Sequence, residues 1–138
     1  MNNFNAANNI FYKVGRIKYP IAQKAHIKAA DIVIDKKHIQ HIANEHKKEL
    51  KALAITSFDY VRLVVNTFTE IRKNKGDSIL LVKVNNYIED DTVTIELVLN
   101  KQKQQWEVRT AQPRRDLRHN KLIYPEKEKA NPYRKSQI

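Results

Sequence analysis

Residues 78–111 read SILLVKVNNYIEDDTVTIELVLNKQKQQWEVRTA, and this stretch decides the fold. Apolar and polar residues alternate in it with a period of two, which is typical of strands with one buried face. The alternation predicts three strands, at residues 78–86, 92–100 and 105–111. Their connections, YIEDD and KQKQ, are short enough for antiparallel hairpins. The stretch therefore predicts an antiparallel β-meander with one apolar face.

Upstream of the meander, two segments have the spacing of helices. Residues 35–53, DKKHIQHIANEHKKELKAL, place apolar side chains three and four positions apart, and Asp35 is suited to cap the first turn. Residues 57–73, SFDYVRLVVNTFTEIRK, repeat this pattern, and Gly76 follows as a stop signal. We predict an α+β fold in which these two N-terminal helices pack on one face of the meander.

The two ends of the chain have a different character. Residues 10–34 contain two β-leaning pieces and predict one or two short N-terminal strands. Residues 1–9 are rich in asparagine and predict a flexible arm. Beyond Pro113 the chain predicts a basic C-terminal arm that docks through the apolar LIY stretch. We therefore expect one α+β domain at residues 10–124 and a frayed basic tail at residues 125–138.

Charge is the most informative property of the composition. The 138 residues include 26 Lys and Arg against 15 Asp and Glu, a net charge of +11. Such a charge attracts phosphate backbones, although solubility alone is an alternative explanation. The chain has no cysteine and only two glycines, which excludes thiolate chemistry and argues against glycine-rich nucleotide loops. No apolar run reaches the ~20 residues of a membrane helix, so we expect no membrane partner.

The first predicted helix carries three histidines. Helical projection places His46 near the middle of the apolar stripe and His41 nearly opposite, in solvent. Two interpretations of His46 stay open: a core histidine satisfied by a backbone acceptor, or a general acid or base. His38 and His41 are three residues apart but lack an evident third ligand, so the sequence predicts no metal site.

The last strand of the meander carries a second group of polar residues. Arg109 and Glu107 are expected on the open face of the sheet, beside Glu96 on the neighbouring strand. They form either ordinary cross-strand ion pairs or a cationic floor for a phosphate with a carboxylate as base. Thr110 is expected on the opposite face, towards the helices and His46.

Further cations make up a predicted nucleic-acid-binding surface. They lie on the open face of the meander and in the basic run that follows it: Lys83, Arg114, Arg115 and Arg118. Arginine forks match phosphate oxygens in a bidentate way. The alternative for the basic run is a solvated tail.

The order of these motifs resembles a known family. A helix with an inward histidine (KHIQHIANEH), a second helix (DYVRLVVNTFTEI) and a meander that ends in WEVRTA are similar to the BECR ribonuclease superfamily, named for barnase, EndoU, colicin ribonucleases and RelE. The phage and polymorphic-toxin branch, PBECR, is the most similar. The resemblance spans residues 32–124.

This resemblance implies an α+β toxin-type ribonuclease that needs neither metal nor cofactor. In such enzymes the ribose 2′-OH attacks the adjacent phosphate and leaves a 2′,3′-cyclic phosphate. Carried over to this chain, His46 is the base or acid, Arg109 the phosphate clamp, Thr110 a hydroxyl donor and Glu96 a second acid–base group. The expected partners are RNA, with tRNA as one candidate, and an acidic immunity or antitoxin protein.

The resemblance also implies a place of action, the cytoplasm, with delivery as part of a larger secreted or phage protein as one route. One alternative is a nucleic-acid-binding module from a phage or mobile element that has no catalytic activity. Another is a protein-interaction module of the same origin, for which the charge is incidental.

Overall fold

The computed structural model describes residues 10–86, 91–113 and 116–125. The mixed α+β class predicted from the sequence is confirmed. The predicted arm at residues 1–9, Arg114, Arg115 and the tail from residue 126 lie outside the described residues. Within the described ranges the helices are α1 (Tyr19–Ala25), α2 (Lys36–Glu45), α3 (Lys47–Leu53) and α4 (Ser57–Thr67). The strands are β1 (Phe11–Ile17), β2 (Ala30–Asp35), β3 (Glu70–Lys73), β4 (Ser78–Asn86), β5 (Asp91–Asn100), β6 (Gln105–Pro113) and β7 (Leu122–Tyr124).

The strands form one sheet in the order β1-β2-β6-β5-β4-β3-β7. β4, β5 and β6 are antiparallel neighbours, as the alternation of residues predicts. The sheet is larger than the predicted meander because β1 and β2 extend it on one side and β3 and β7 on the other. The β2–β6 pair is parallel, with Ile32 opposite Trp106. This parallel pair brings the end of β2 next to the middle of β6.

The helices differ from the prediction at two places. The helix predicted at 35–53 is interrupted at His46, whose φ of −124° is not helical, and α3 begins at Lys47. The helix predicted at 57–73 ends at Thr67, and β3 follows. Ile71 keeps the spacing of the helix face but is buried as a strand residue. The β-branched residues around it favour extended backbone.

Helix α1 is absent from the sequence prediction. Its second residue is Pro20, a residue that fits the first turn of a helix because the amide hydrogen it lacks has no partner there. The helix ends after seven residues at His26, which has a left-handed backbone with φ 57°. A helix of this length is too short to be recognised from the periodicity of its apolar residues.

The two faces of the sheet are not equivalent. All four helices contribute to the core on one face, where the central strands place fully buried residues such as Ile32, Leu81 and Ile95. The other face was predicted to be open and mostly polar. It carries a smaller apolar cluster of Leu80, Val82 and Val84, against which Leu117 packs. Glu107 lies on this second face, and so does Asp35, two residues beyond its partner Val33.

Candidate acid–base site

Asp35 and His38 form a close pair where β2 leads into α2. Asp35 Oδ1 accepts a hydrogen bond from the backbone N–H of His38 at 2.9 Å and lies 2.6 Å from His38 Nδ1. An ionised carboxylate can only accept, so Nδ1 of His38 carries a proton and donates it to this bond. Nε2 is then the ring nitrogen left to take up or release a proton. The pair thus orients an imidazole for proton transfer.

The ionisation of Asp35 is set by opposing effects. Its burial by itself raises the pKa of the carboxyl. The hydrogen bonds from the backbone and ring of His38, together with the charges of His38 and Arg109, outweigh burial and hold the pKa below its ordinary value. Asp35 is therefore a carboxylate at neutral pH, and it stabilises a positive charge on the His38 ring.

Arg109 and Glu107 lie on the strand next to Asp35. Because Val33 pairs with Glu107 in the parallel β2–β6 ladder, Asp35 and Arg109 both lie two positions further along. Arg109 Nη2 lies 3.5 Å from Glu107 Oε1. The side chain of Glu107 is only 11% exposed, whereas that of Arg109 is 43% exposed. We call Asp35, His38, Glu107 and Arg109 the His38 cluster.

Neighbouring polar groups fix the orientation of Glu107. Its Oε2 accepts hydrogen bonds from Asn100 Nδ2 at 2.8 Å and from Gln105 Nε2 at 3.0 Å. The guanidinium of Arg109 is on the side of the other oxygen, Oε1. The two hydrogen bonds hold the carboxylate in place, and Oε1, in its ion pair with Arg109, is the oxygen left to accept a proton.

A bulge in β6 changes the direction of Thr110. Leu97 pairs with Val108, but the preceding residue, Glu96, pairs with Thr110, so Arg109 is an extra residue in the strand. Thr110 therefore lies on the same face as Glu96. The prediction that Thr110 faces the helices and His46 is wrong, because simple alternation along the strand takes no account of the bulge.

His46 is engaged at both ring nitrogens. Nε2 lies 2.6 Å from the carbonyl oxygen of Ala111, and Nδ1 lies 3.2 Å from Glu49 Oε2. Its side chain is 13% exposed. These contacts connect the break between α2 and α3 to β6. They match the interpretation of a buried histidine with a backbone acceptor, and the catalytic role of His46 stays a prediction.

The other predicted site residues are spread over both faces of the sheet. Glu96 Oε2 accepts from Asn74 Nδ2 at 2.9 Å and from Ser78 Oγ at 3.2 Å, so this carboxylate is held within the sheet. Lys83 pairs with Val93 and therefore lies on the helix-covered face. Its predicted position beside Arg109 is wrong, since the two residues are on opposite faces.

The basic run after β6 is described only in part. Arg118 holds Asp116 through a two-pronged contact, with Nη2 2.8 Å from Oδ2 and Nε 3.1 Å from Oδ1. The hydrogen bonds from Arg118 lower the pKa of Asp116 to about 2. A phosphate at Arg118 has to compete with this carboxylate. Arg114 and Arg115 lie outside the described residues, and all three stay predictions as nucleic-acid ligands.

An aromatic ring and further cations adjoin the His38 cluster. Phe11 is opposite Asp35 in the β1–β2 ladder and so shares its face. Lys103 Nζ lies 4.9 Å from the centre of the Phe11 ring. Lys36 and Lys37 are exposed in the first turn of α2. Lys36 and Lys37 directly follow Asp35 in the chain, and together with Lys103 their positive charges favour the approach of an anion.

The sequence contains one signal for His38 that periodicity misses. An N-cap Asp with a polar residue three positions later has the spacing of a capping box, although the His38 ring binds the Asp35 side chain and not its backbone N–H. Asp35 and His38 have this spacing, with a histidine in place of the usual Glu or Gln. The apolar periodicity of the helix gives no reason to choose His38.

Metal ligation, membrane spans and similarity to known proteins give no further indication of function. Among the described residues, no group of three or more His, Asp or Glu side chains is arranged to hold a metal ion. No helix in the described ranges has the length and apolar character needed to span a membrane. Comparison of the chain with protein-family models, curated proteins and solved structures gave no match. The function is therefore inferred from the chemistry of the His38 cluster and the charge of the chain.

Proposed function

We propose that the protein is a metal-independent endoribonuclease of the toxin type, as its BECR resemblance implies, and that the His38 cluster is its active site. The observation that carries this proposal is the position of Asp35, which binds the His38 ring at the end of β2 and lies next to the Arg109–Glu107 pair on the neighbouring strand β6. Cleavage of RNA through the 2′-OH needs a base, an acid and a cation, and RNA supplies its own nucleophile. The cluster contains one group of each kind.

The chemistry of the three groups assigns their roles. Glu107, an acceptor when ionised, takes the proton of the 2′-OH as its oxygen attacks phosphorus. His38, protonated on both nitrogens and stabilised by Asp35, gives the Nε2 proton to the departing 5′-oxygen as the P–O5′ bond breaks. Arg109 stabilises the negative charge of the phosphorane. The products are a 2′,3′-cyclic phosphate and a 5′-hydroxyl.

The test is incubation of the purified chain with total bacterial RNA in excess EDTA, followed by analysis of the fragment ends. Substitution of His38→Gln is expected to lower the cleavage rate by about a hundredfold or more, because an amide cannot transfer the proton. The matched control is His41→Gln on the same helix. His41 is 48% exposed and contacts Glu45, and its substitution should leave the rate unchanged.

Substitution of His46→Gln separates the two histidine assignments. The variant is expected to lose stability but to keep most of its cleavage rate wherever it remains folded. Loss of cleavage in folded His46→Gln, with full activity in His38→Gln, assigns the role to His46 instead. RNA that stays intact with the unaltered chain, although it binds tightly, favours the alternative of a non-catalytic nucleic-acid-binding module.

A further inference from the structure

A second concave region lies on the helix-covered face, beyond the start of β2 and away from the His38 cluster. It is a cleft of about 460 Å³ between the loop after α1, the turn between β3 and β4, and β7. This volume lies in the range of small-molecule sites. We call it the Trp106 cleft. Its apolar lining consists mainly of Ile27, Ile79, Leu99, Trp106 and Ile123.

The apolar lining of the cleft has a fixed position. Trp106 is 3% exposed, and its indole Nε1–H donates to the carbonyl oxygen of Lys28 at 2.9 Å. This bond attaches the loop after α1 to the first residues of β6. Gly76, on the opposite side of the cleft, has open space where a side chain would begin. The cleft is thus formed by packed elements and has an open mouth.

The rim of the cleft is cationic. It includes Lys28, Lys73 and Lys121, none of which forms an ion pair with another described residue. The one carboxylate in the described lining, Asp77, lies 3.3 Å from Lys101 Nζ and is already paired. Among the residues that the structure describes, these three lysines have no carboxylate partner, so the rim presents positive charge beside an apolar surface.

Two of these lysines are held side by side and lead into a second groove. The backbone N–H of Lys73 donates to the carbonyl oxygen of Lys121 at 2.8 Å, and Asn120 Nδ2 donates to the carbonyl oxygen of Lys73 at 2.9 Å. Both lysines also line an adjoining groove of about 410 Å³, together with Lys75 and His119. A chain of regularly spaced negative charges can therefore pass from the cleft into the groove.

We propose that the Trp106 cleft binds an unpaired nucleotide of single-stranded nucleic acid. The flat face of the base lies on the apolar lining, its phosphate binds Lys73 and Lys121, and the next phosphate binds in the adjoining groove. An inorganic anion needs no apolar floor, and an apolar ligand needs no cationic rim, whereas a nucleotide uses both. Binding at this site does not depend on cleavage at the His38 cluster.

The only tryptophan of the chain provides the measurement. The fluorescence of Trp106 is followed in three separate titrations of the protein. The ligands are an oligodeoxyadenylate of about four nucleotides, adenosine monophosphate and inorganic phosphate. The oligonucleotide has no 2′-OH, so it cannot be cut by the proposed ribonuclease chemistry. We expect a saturable change with the oligonucleotide, weaker binding of adenosine monophosphate and no change with phosphate.

Charge reversal tests the rim. The double substitution Lys73→Glu and Lys121→Glu is expected to weaken oligonucleotide binding by about tenfold or more, because it replaces attraction of phosphate by repulsion. The matched control reverses Lys48 and Lys51, two exposed lysines on α3 that do not line the cleft, and changes the net charge equally. Binding by the control should differ little from that of the unaltered protein.

Each outcome decides a different part of the proposal. No fluorescence change with the oligonucleotide, or equal weakening by the control pair, overturns the site. An equal response to inorganic phosphate overturns the role of the base. Adenosine monophosphate binding as tightly as the oligonucleotide supports the nucleotide site and makes its ligand a free nucleotide. Oligonucleotide binding that persists in His38→Gln separates this site from the proposed ribonuclease activity.

Discussion

Asp35 has two separate contacts with one residue, since its carboxylate caps α2 at the His38 amide and also binds the His38 ring. Capping needs only a side-chain oxygen, which asparagine also has. Binding of a charged imidazole needs the negative charge. The substitution Asp35→Asn therefore keeps the first contact and weakens the second.

We predict that Asp35→Asn lowers the free energy of unfolding by about 1.5–3 kcal/mol at neutral pH, the range for a hydrogen bond to a charged group. Because the folded pKa of Asp35 is depressed, its contribution is present above the unfolded value of about 3.9 and is lost as the pH falls through the folded pKa. Urea denaturation at a series of pH values should show the deficit disappear in acid. A deficit that stays constant with pH contradicts this account.

The two histidines show what residue spacing can reveal. The position of His46 at the middle of an apolar stripe makes it a candidate site residue, and the low exposure of its side chain agrees with that position. The projection assumes one continuous helix, but His46 is the residue at which α2 ends. The orientation of His38 depends on its contact with the N-cap residue Asp35. The place of Asp35 beside Arg109 depends on a parallel strand pairing, which spacing along one helix does not describe.

At the scale of elements, β1 and α4 approach each other closely at Gly15. A Cβ atom built on Gly15 lies 2.3 Å from Val65 Cγ1 and 3.3 Å from Asn66 Oδ1. Val65 is 2% exposed and has no room to move away. Asn66 Nδ2 also donates to the Val14 carbonyl oxygen at 2.9 Å, which attaches the helix to the strand.

We predict that Gly15→Ala lowers the free energy of unfolding by about 1–3 kcal/mol, because overpacking outweighs the gain from a less flexible unfolded chain. Thermal or urea denaturation measures this. Gly76→Ala is the comparison: nothing lies within 4 Å of its Cβ position, so it reports only the cost of a left-handed residue. A Gly15→Ala variant as stable as the unaltered protein would show that β1 and α4 can separate without loss.

The elements that local pattern could predict are those whose partners are close in sequence. The strands β4, β5 and β6 alternate clearly and follow each other as hairpins, and Asp35 marks the start of α2. The sequence predicts a helix where β3 lies, because Val64, Phe68 and Ile71 keep helical spacing across the observed end of α4 at Thr67. Strand pairing, which local spacing does not record, decides the structure of that segment.

The organisation of the sheet depends on contacts that the sequence pattern does not contain. β2 lies between two strands: β1, which precedes it in the chain, and β6, from which three other strands separate it in the chain. The bulge at Arg109 reverses the alternation of β6 and places Thr110 opposite Glu96. A bulge adds one residue without changing composition or apolar content, so alternation alone assigns Thr110 to the wrong face.

For the whole molecule, the net charge of +11 makes nucleic-acid binding sensitive to salt. We count four phosphate contacts, from Lys28, Lys73 and Lys121 at the rim of the Trp106 cleft and from Arg109 in the His38 cluster. With a slope of about 0.7 per phosphate on single strands, four contacts predict about a fiftyfold loss of affinity for a fourfold rise in salt. Fluorescence anisotropy with a labelled, uncleavable single strand measures the slope.

The same titration distinguishes the interpretations of the charge. Charge reversal at Lys73 and Lys121 should reduce the slope of log affinity against log salt by roughly 1.4, which is about 0.7 for each of two phosphate contacts. Reversal of Lys48 and Lys51 should leave the slope nearly unchanged. Weak binding that does not vary with salt contradicts a nucleic-acid partner and favours a protein-interaction module.

The parallel pairing of β2 with β6 has a consequence for synthesis. The two halves of the His38 cluster are encoded far apart, one at the start of α2 and the other on β6, with the three strands β3, β4 and β5 between them in the chain. While the nascent chain emerges from the ribosome, Asp35 and His38 have no Arg109 or Glu107 beside them until β6 is outside the tunnel and paired. If the cluster cleaves RNA, the growing chain is harmless to the ribosome and messenger that produce it until this late step.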